Sequence, residues 1–599
     1  METATDNGPQ ITRRQLLGGA AALSLGSTSG CIQRIRSILN RDSPSAVTLS
    51  VTAPPADSDR MATLLARHLV ENLEAVGINS TLNVLPETEL YREVLLNGNY
   101  DLFVAQIPPM DDPQALYSLL HSVYAAEPGW QNPYRYANLS ADDLLEAQRS
   151  AAGEQRREAV GDVLELLCRD QPLTTVAFPD EIRAVRADNF TGWENRPLQN
   201  PLSYLTLERA PSIPSSEELR LQLAVADSRM SQNLNPLSVE YRQMNPVTDL
   251  LYDSLVRRIE DELVPWLAAD YSLETDRQLR VSLRPGLRWH DGTSLTAEDV
   301  AFTYEFLADT SLGKVAQTVP SPRFRAWSGL VTDAYAIDDT TVELSLVDAS
   351  EEVAVQALTV PLFPEHIWRD LSEVADIQGI EGSGNVTSAI VNSNTEPVGS
   401  GPLAVENVSG DEAVVLRPFE DHFLQRGAGI LDGIPEEFVG EPSFDMLEFV
   451  MVPSNETAVN QVAQGEVDAT ATSVDPREAI IERIIGASGV SQFTEQSHSP
   501  YQIGFNTGST PFSNPYFRRL IARLVDKEYV TEEIFEGYGR PAAHPFDGTQ
   551  WNPEDLSFDQ TDPVVPFIGA DGEVNVSEAR AAFRQRGFEF DENDTFILQ

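Results

Sequence analysis

Hydrophobic positions follow the period of a strand and then that of a helix, repeatedly, through residues 47–207. Val47 to Thr52 has the pattern of a strand, and an apolar helical pattern runs from Asp59 to Val76, where Gly77 ends it. The same periodicity predicts strands over residues 79–85, 100–107, 173–178 and 203–208, and helices over residues 87–96, 141–151 and 154–168. Alternation of this kind predicts an open α/β sheet.

The rest of the chain divides at a linker rich in proline and serine, Pro211 to Ser216. Residues 219–500 are richer in strands, with helices inserted. Thr296 is the predicted N-cap of one of these helices, and Asp299 completes a capping-box pattern. Residues 501–599 return to α/β, with helices predicted over residues 515–526 and 577–586.

The charge balance excludes one class of function. The chain has 42 Lys plus Arg and 92 Asp plus Glu, so 42 − 92 gives −50, and Lys314 and Lys527 are the two lysines. Binding nucleic acid needs a basic face, which this composition does not supply. Excess acid with almost no lysine is typical of an extreme halophile, because about 1 M salt shortens the Debye length to about 3 Å and screens the repulsion. An acidic mesophilic protein is the alternative.

The first 31 residues have the pattern of an export signal. Arg13 and Arg14 form a twin-arginine pair, and the apolar stretch after them, about ten residues long, is too short to span a bilayer. Small residues then precede Cys31, as in a lipoprotein processing site, with cleavage without lipid as the alternative. Residues 32–46 are the predicted tether. Cys168 lies in a helical apolar pattern, which indicates a buried core thiol.

Common catalytic signatures are absent from the sequence. There is no P-loop, GxGxxG, HExxH, CxxC or GxSxG pattern, and the seven histidines never occur at i, i+4 spacing. Carboxylates are too abundant for any pair of them to be diagnostic. We therefore expect no enzyme activity, no cofactor and no metal site.

A series of ordered motifs resembles one known family. The strongest runs from Leu283 to Val300 and reads LRPGLRWHDGTSLTAEDV. Others are NLNPL at 233–237, LLYDSLV at 250–256, PWLA at 265–268, VGSGP at 398–402, GEVDA at 465–469, and the FNT, PF, FRR and DK elements within 505–527. Together they resemble the extracytoplasmic solute-binding proteins of peptide and nickel ABC importers, family five.

This resemblance implies both a fold and a function. The expected fold is α/β, with the two lobes of the large peptide-binder class of type II periplasmic-binding-protein-like folds. The expected function is capture of a small solute or short peptide between the lobes and its delivery to an ABC permease and ATPase. The resemblance also implies a monomer on the extracytoplasmic face of the membrane, where the lipid anchor predicted at Cys31 would hold it. A sensor or peptide chaperone of the same fold is the alternative.

The order of the segments differs from that of the family. Residues 47–209 resemble the family's C-terminal third, moved to the front, which predicts a circular permutation. Residues 501–599 would then be the first half of lobe 2, residues 47–209 its second half, residues 210–218 a linker, and residues 219–500 lobe 1 with an inserted subdomain. Permutation is tolerated where termini lie together at the surface. Fusion of a truncated binding protein to an unrelated α/β domain is the alternative.

Candidate ligand-binding residues follow the strand predicted over residues 100–107, because ligands bind at the carboxyl ends of strands in α/β folds. In the family's peptide binders an Asp in the loop after this strand holds the ligand ammonium, with a Trp before it. By alignment on Pro113, these positions fall on Pro109 and Gln106. Met110 and Asp111 are the neighbouring candidates. Asp111 either substitutes for the missing Asp or, like Asp112, caps a helix.

Two further candidates, Asn235 and Asn506, match family positions near the crevice. Each of them either contacts ligand or caps a turn. The sequence leaves both alternatives open.

Overall fold

The structure is a computed structural model and describes residues 45–240, 245–260, 262–275, 277–375, 386–426 and 431–598. In chain order its strands are β1 Ser45–Ala46, β2 Thr48–Ala53, β3 Asn79–Val84, β4 Leu102–Gln106, β5 Leu173–Arg186, β6 Phe190–Thr191, β7 Glu208–Arg209, β8 Arg220–Val225, β9 Val256–Ile259, β10 Glu262–Pro265, β11 Ala268–Thr275, β12 Gln278–Leu283, β13 Val331–Asp338, β14 Thr341–Leu346, β15 Leu403–Val408, β16 Ala413–Pro418, β17 Met446–Met451, β18 Ala469–Thr470, β19 Val490–Gln496, β20 Tyr501–Phe505, β21 Gly539–Pro541, β22 Gly569–Ala570, β23 Glu573–Val574, β24 Glu589–Phe590 and β25 Phe596–Leu598.

Its α-helices are α1 Arg60–Val76, α2 Glu87–Tyr91, α3 Ala115–Leu120, α4 Leu139–Ser150, α5 Gly153–Asp170, α6 Arg229–Gln232, α7 Pro246–Leu251, α8 Ala297–Ala308, α9 Arg325–Ser328, α10 Glu351–Ala354, α11 Glu365–Trp368, α12 Ser388–Val391, α13 Asn455–Gln464, α14 Glu478–Gly486, α15 Pro515–Ala522, α16 Lys527–Tyr529 and α17 Val576–Gln585. Within the described ranges, no helix has the length and apolar character needed to cross a membrane.

One large sheet organises the fold. Its strands lie in the order β15-β16-β17-β8-β18-β5-β20-β4-β2-β3, and β19 and β21 also pair with β5. The first half of the 14-residue strand β5 pairs with β20 and β21, and its second half pairs with β18 and β19. β5 therefore lies in the middle of the sheet and belongs to both of its halves. We call residues 183–496 lobe 1, and residues 45–178 with 501–598 lobe 2.

Local sequence signals set several of the helix ends as predicted and one end differently. The Asp59 carboxylate accepts from Ala62 N at 3.0 Å at the start of α1, and Gly77 ends the helix in the left-handed region with φ 98°. The capping box of α8 is present too, with Asp299 accepting from Thr296 N at 3.0 Å. The predicted helix over 515–526 ends earlier, at Ala522, because Asp526 caps the next turn instead.

The prediction of a strand over residues 203–208 is wrong. Residues Pro201–Thr206 form a 3₁₀ helix, and pairing in a sheet begins only at Glu208. The Asn200 side chain accepts from Leu202 N at 3.0 Å, and proline occupies the first helical position. Such a cap followed by proline favours a helical turn over an extended strand.

Each lobe has its own apolar core. In lobe 2, side chains from α1, such as Leu65 and Leu69, share a core with Phe583 and Phe596 from the far end of the chain. In lobe 1, the strands and α8 enclose a larger core. The packing divides the chain at a different point from the predicted boundary at residue 209, because buried residues between Val185 and Leu207 join the lobe 1 core.

The glycines of the VGSGP motif permit a close backbone contact. A Cβ on Gly399 would lie 1.8 Å from the carbonyl oxygen of Leu251, and one on Gly401 would lie 2.2 Å from that of Leu250. Only glycine fits at these two positions, since real Cβ atoms do not approach other atoms so closely. The motif therefore holds the end of α7 against the start of β15.

Candidate ligand-binding crevice

Two neighbouring chain segments connect the lobes in the described part of the chain. One is the middle of β5, and the other is the segment from β19 to β20, which pairs with β5 in antiparallel register. Arg183 braces this pair of strands, with contacts of 2.8 Å to Glu181 and 3.2 Å to Glu495. Burial lowers the pKa of Arg183, but the two carboxylates raise it further, so the guanidinium stays charged. The geometry is that of a hinge.

Strand ends from both lobes face each other across the crevice. Glu87 follows the carboxyl end of β3 in lobe 2, and Arg229 follows that of β8 in lobe 1. Arg229 Nη1 lies 3.0 Å from Glu87 Oε1, and Asp227 binds the same guanidinium at 2.6 Å. Burial lowers the pKa of Arg229, but the two carboxylates raise it well above its usual value. In α/β folds such facing carboxyl ends are where ligands bind.

Gln106 ends β4 beside the hinge and is buried. Its amide nitrogen donates to Ser499 O at 3.0 Å, and the next residue, Ile107, donates its backbone N–H to Pro500 O at 3.1 Å. These bonds tie the end of β4 to the segment that links the lobes. The amide of Gln106 therefore holds the hinge segment in place.

The loop at residues 108–113, which we call the crevice loop, contains the next three candidates. Pro109 is half-buried and has no N–H to donate. Met110 packs into an apolar cluster with Tyr91 and Trp130. Asp111 has a side chain that is 42% exposed and is thus the most accessible of the three.

Asp111 contacts both the hinge segment and lobe 1. Its carboxylate lies 3.3 Å from His498 Nδ1 and 4.0 Å from Arg258 Nε. Desolvation raises the pKa of Asp111, but His498 and Arg258 outweigh that effect and lower it below its usual value. The group is therefore an ionised carboxylate in the crevice.

Asp112 has a structural role in lobe 2, unlike its neighbour Asp111. Its Oδ1 accepts from Gln114 N at 2.8 Å in the turn before α3, and its two oxygens bind Arg156 at 2.5 and 3.1 Å. The N-cap residue of α3 itself is Gln114, so Asp112 caps only the turn before the helix, and neither acid is the helix N-cap. Asp111 points instead to His498 and Arg258.

Asn235 lies inside lobe 1 and is fully buried. Its amide nitrogen donates to Ala389 O at 2.7 Å and to Asn392 O at 2.6 Å, and its oxygen accepts from Leu237 N at 2.8 Å. This geometry favours the turn-capping alternative.

Asn506 lies just beyond β20, at the opposite end of that strand from Tyr501, which pairs with Gln106. Its amide donates to Tyr100 O at 2.8 Å. The structure thus does not bring Asn235 and Asn506 together with the crevice loop. Arg13, Arg14 and Cys31 lie outside the described residues.

Sequence reasoning did not find Arg229, Arg258 or His498. Their partners come from distant parts of the chain, so no local motif marks them. The sequence did contain one signal for such residues. Cations are scarce in this chain, so an arginine that follows a predicted strand is a candidate for the binding site. In the described part of the chain, no group of three or more His, Cys, Asp or Glu could hold a metal ion.

Two lobes that share one sheet, joined by two neighbouring segments and facing each other with their strand ends, define the class of two-lobed binding proteins. The chain belongs to the family described as bacterial extracellular solute-binding proteins, family 5 (middle), whose model matches residues 262–598, more than half of the chain.

Among curated proteins, the chain is 23% identical over 318 residues to the oligopeptide-binding protein AppA of Bacillus subtilis, covering 52% of this chain and 51% of that protein. It is 22% identical over 333 residues to heme-binding protein A of Haemophilus influenzae, covering 53% and 55%. The chain thus spans about half the length of the curated relatives it matches.

The chain also matches parts of solved structures. The B. subtilis oligopeptide-binding protein AppA in complex with a nonapeptide is 17% identical, with a TM-score of 0.44, and the match covers 64% of this chain and 67% of that one. NikZ from Campylobacter jejuni in complex with Ni(L-His) is 16% identical, with a TM-score of 0.43 and the same coverage.

Proposed function

We propose that this protein is an extracytoplasmic substrate-binding protein that captures a peptide in its interlobe crevice and delivers it to the permease of an ABC importer. It catalyses no reaction in this role. The observation that carries the proposal is that both lobes share β5, beside which a second segment crosses between them. Such a hinge lets the two lobes move as bodies and enclose a ligand. Family membership and the peptide-binding names of several relatives support the ligand class.

Asp111 is the proposed ligand-binding carboxylate of the crevice loop. It is ionised and partly exposed, and it lies where lobe 2 faces Arg258 of lobe 1. The N-terminal ammonium of a peptide would replace Arg258 or His498 as its counter-ion. Gln106, Pro109 and Met110 shape the same loop.

Ligand released from protein purified in high salt, identified by mass spectrometry, tests this function. We expect peptides, and Asp111→Asn should weaken binding of a peptide with a free N-terminus more than that of its N-acetylated form. Asp421→Asn removes one exposed carboxylate of lobe 1 and serves as the matched control. Sugars or metal chelates in place of peptides would contradict the ligand class. Loss of peptide uptake on gene deletion separates an importer component from a sensor or chaperone.

We also propose that the chain is circularly permuted, with residues 501–598 and the segment after residue 45 forming one lobe. β1 pairs with β25 in antiparallel register, Ser45 opposite Leu598, and Phe596 N donates to Gly77 O at 2.8 Å. The two ends of the described chain are thus adjacent. Their adjacency supports a permutation in which a chain that is continuous at this point in the family is interrupted here. The shared core of lobe 2 supports the same reading, because neither segment has enough strands to enclose a core alone.

The proposed location is the outer face of the cell membrane of a halophile. Arg13 and Arg14 would direct twin-arginine export, and Cys31 would carry the lipid anchor. The net charge of −50 supports work in high salt. We expect the protein to act as a monomer.

A further inference from the structure

A segment of lobe 1 lies against the corner between α4 and α5 of lobe 2. Ser350 N donates to Arg149 O at 2.9 Å, and Arg149 Nε donates to Asp348 O at 3.0 Å. These bonds place the first turn of α10, which contains Glu352, beside the start of α5. The corner and the segment lie in different lobes, so both bonds cross the interlobe boundary.

Helix α5 starts without a cap of its own. Its N-cap residue is Ala152, which makes no side-chain hydrogen bond. The first N–H groups of a helix have no partner within the helix, and the positive end of its dipole favours a carboxylate there. Glu352 of lobe 1 supplies that carboxylate, because its Oε2 accepts from Gly153 N at 3.3 Å.

The other oxygen of Glu352 binds a buried arginine. Arg156 Nη1 donates to Glu352 Oε1 at 2.6 Å, and the same guanidinium binds Asp112 of its own lobe. The Arg156 side chain is 0% exposed, and its guanidinium carbon Cζ lies 4.9 Å from the centroid of the Trp551 ring. Burial lowers the pKa of Arg156, but Asp112 and Glu352 raise it above its usual value. A buried charge is costly unless it is paired.

The contacts of Glu352 with Gly153 and Arg156 depend on closure of the two lobes, because the lobes are covalently joined elsewhere. In the described chain the lobes are joined only at β5 and at the segment between β19 and β20. Rotation about that hinge would move α10 away from α5 and would take Glu352 from both of its partners. Opening would leave Gly153 N uncapped and Arg156 with one carboxylate.

We propose that Glu352 is an interlobe clasp, which caps α5 from the opposite lobe, provides the second counter-ion of Arg156 and holds the lobes together without ligand. This inference rests on the hinged, two-lobed function proposed above. A population that is already closed raises the apparent affinity for ligand, since apparent affinity scales with the fraction of competent conformers. Glu352 thereby sets how tightly the crevice retains its peptide, although it lies outside the crevice loop.

Spin labels on the two lobes of the ligand-free protein test the clasp. Leu139→Cys in lobe 2 and Ile337→Cys in lobe 1 are suitable sites, because the native side chains are 79% and 57% exposed. Buried Cys168 stays unlabelled, and Cys31→Ser removes the other thiol. Distance distributions are measured by pulsed electron resonance in the parent, in Glu352→Gln and in Glu351→Gln. The last variant removes the same charge from the neighbouring, exposed position.

We expect Glu352→Gln to add a longer interlobe distance that is absent from the parent and from Glu351→Gln. Arg149→Met removes a separate bond of the same contact and should shift the distances in the same direction, which keeps the test decisive if Glu352→Gln folds poorly. Unchanged distances in both folded variants would overturn the clasp. No ligand is needed, so failure here is distinct from failure to bind peptide.

Discussion

His422 Nε2 lies 2.9 Å from Asp253 Oδ2 inside lobe 1, although 169 positions separate the two residues in the chain. The other oxygen, Asp253 Oδ1, accepts from Arg257 at 2.9 Å and from Trp266 Nε1 at 2.8 Å. Asp253 is completely buried. Its motif, LLYDSLV, thus provides a carboxylate that binds three other side chains of lobe 1.

Asp253→Asn should therefore destabilise the protein strongly. The substitution leaves a buried His422 and Arg257 without their charged acceptor, and breaking a buried pair in this way costs about 3–5 kcal/mol. Denaturant unfolding in high salt measures the loss. The control, Asp421→Asn, changes an exposed carboxylate in the same lobe and should stay within about 0.5 kcal/mol of the parent. Equal stabilities for the two variants would contradict this role.

His290 should make the protein less stable in mild acid. Its Nδ1 accepts from Gly399 N at 3.2 Å and its Nε2 contacts Gly401 O at 3.0 Å, which together fix the neutral ring. Burial is the main cause that lowers its pKa to about 4, although the hydrogen bond to Gly401 O partly opposes that effect. The folded pKa lies below the unfolded value of 6.5, so the stability is complete above pH 6.5 and is lost as the pH falls towards 4.

The difference corresponds to about 3 kcal/mol between the two limits. At pH 5, which is about 1.5 pH units below the unfolded pKa, about 2 kcal/mol of that difference should be lost. Unfolding free energies at pH 5 and pH 7.5 measure this loss for the parent and for His290→Asn, which should show a smaller pH dependence. His498→Gln alters a more exposed histidine and serves as the comparison. A parent and a His290→Asn variant with the same pH profile would refute the assignment.

Salt should stabilise the folded protein. With a net charge of −50, carboxylates repel one another once screening is removed, because the Debye length grows from about 3 Å at 1 M to about 30 Å at 0.01 M salt. The melting temperature should fall steadily as the salt concentration is lowered from about 1 M to about 0.01 M. A salt series followed by circular dichroism measures it, and a constant melting temperature would rule out the halophilic interpretation.

Reversing the proposed permutation should preserve the fold. A chain that begins at Leu219, joins Leu598 to Ser45 by a short Gly/Ser linker and ends at Arg209 restores the family order. It should fold with the same circular dichroism spectrum, since Ser45 and Leu598 already face each other in β1 and β25. A second permutant, opened between Phe302 and Thr303 inside α8, is the control and should fail to fold. Failure of the first permutant alone would favour the fusion alternative.

Cys31→Ser should release the protein from membranes. The lipid anchor proposed at Cys31 is lost, while the arginine pair still directs export. Fractionation of cells and medium measures the distribution. If the variant stays with the membrane as the parent does, Cys31 carries no anchor.

The sequence alone determined the features that depend on neighbours in the chain. Asp59 and Gly77 end α1 because a side-chain cap and a left-handed glycine act within one helical turn. The capping box at Thr296 is local in the same way. The run of family-like motifs gave the family and the two-lobed fold, because each motif is a contiguous stretch.

The tertiary structure decided which of these residues meet. Asp111 and Asp112 are adjacent and chemically alike, yet one pairs with His498 and Arg258 and the other with Arg156. Asn235 is enclosed by backbone from more than 150 positions away. The choice of partner in each case depends on how distant segments pack, and no local pattern of hydrophobic and polar positions encodes that packing.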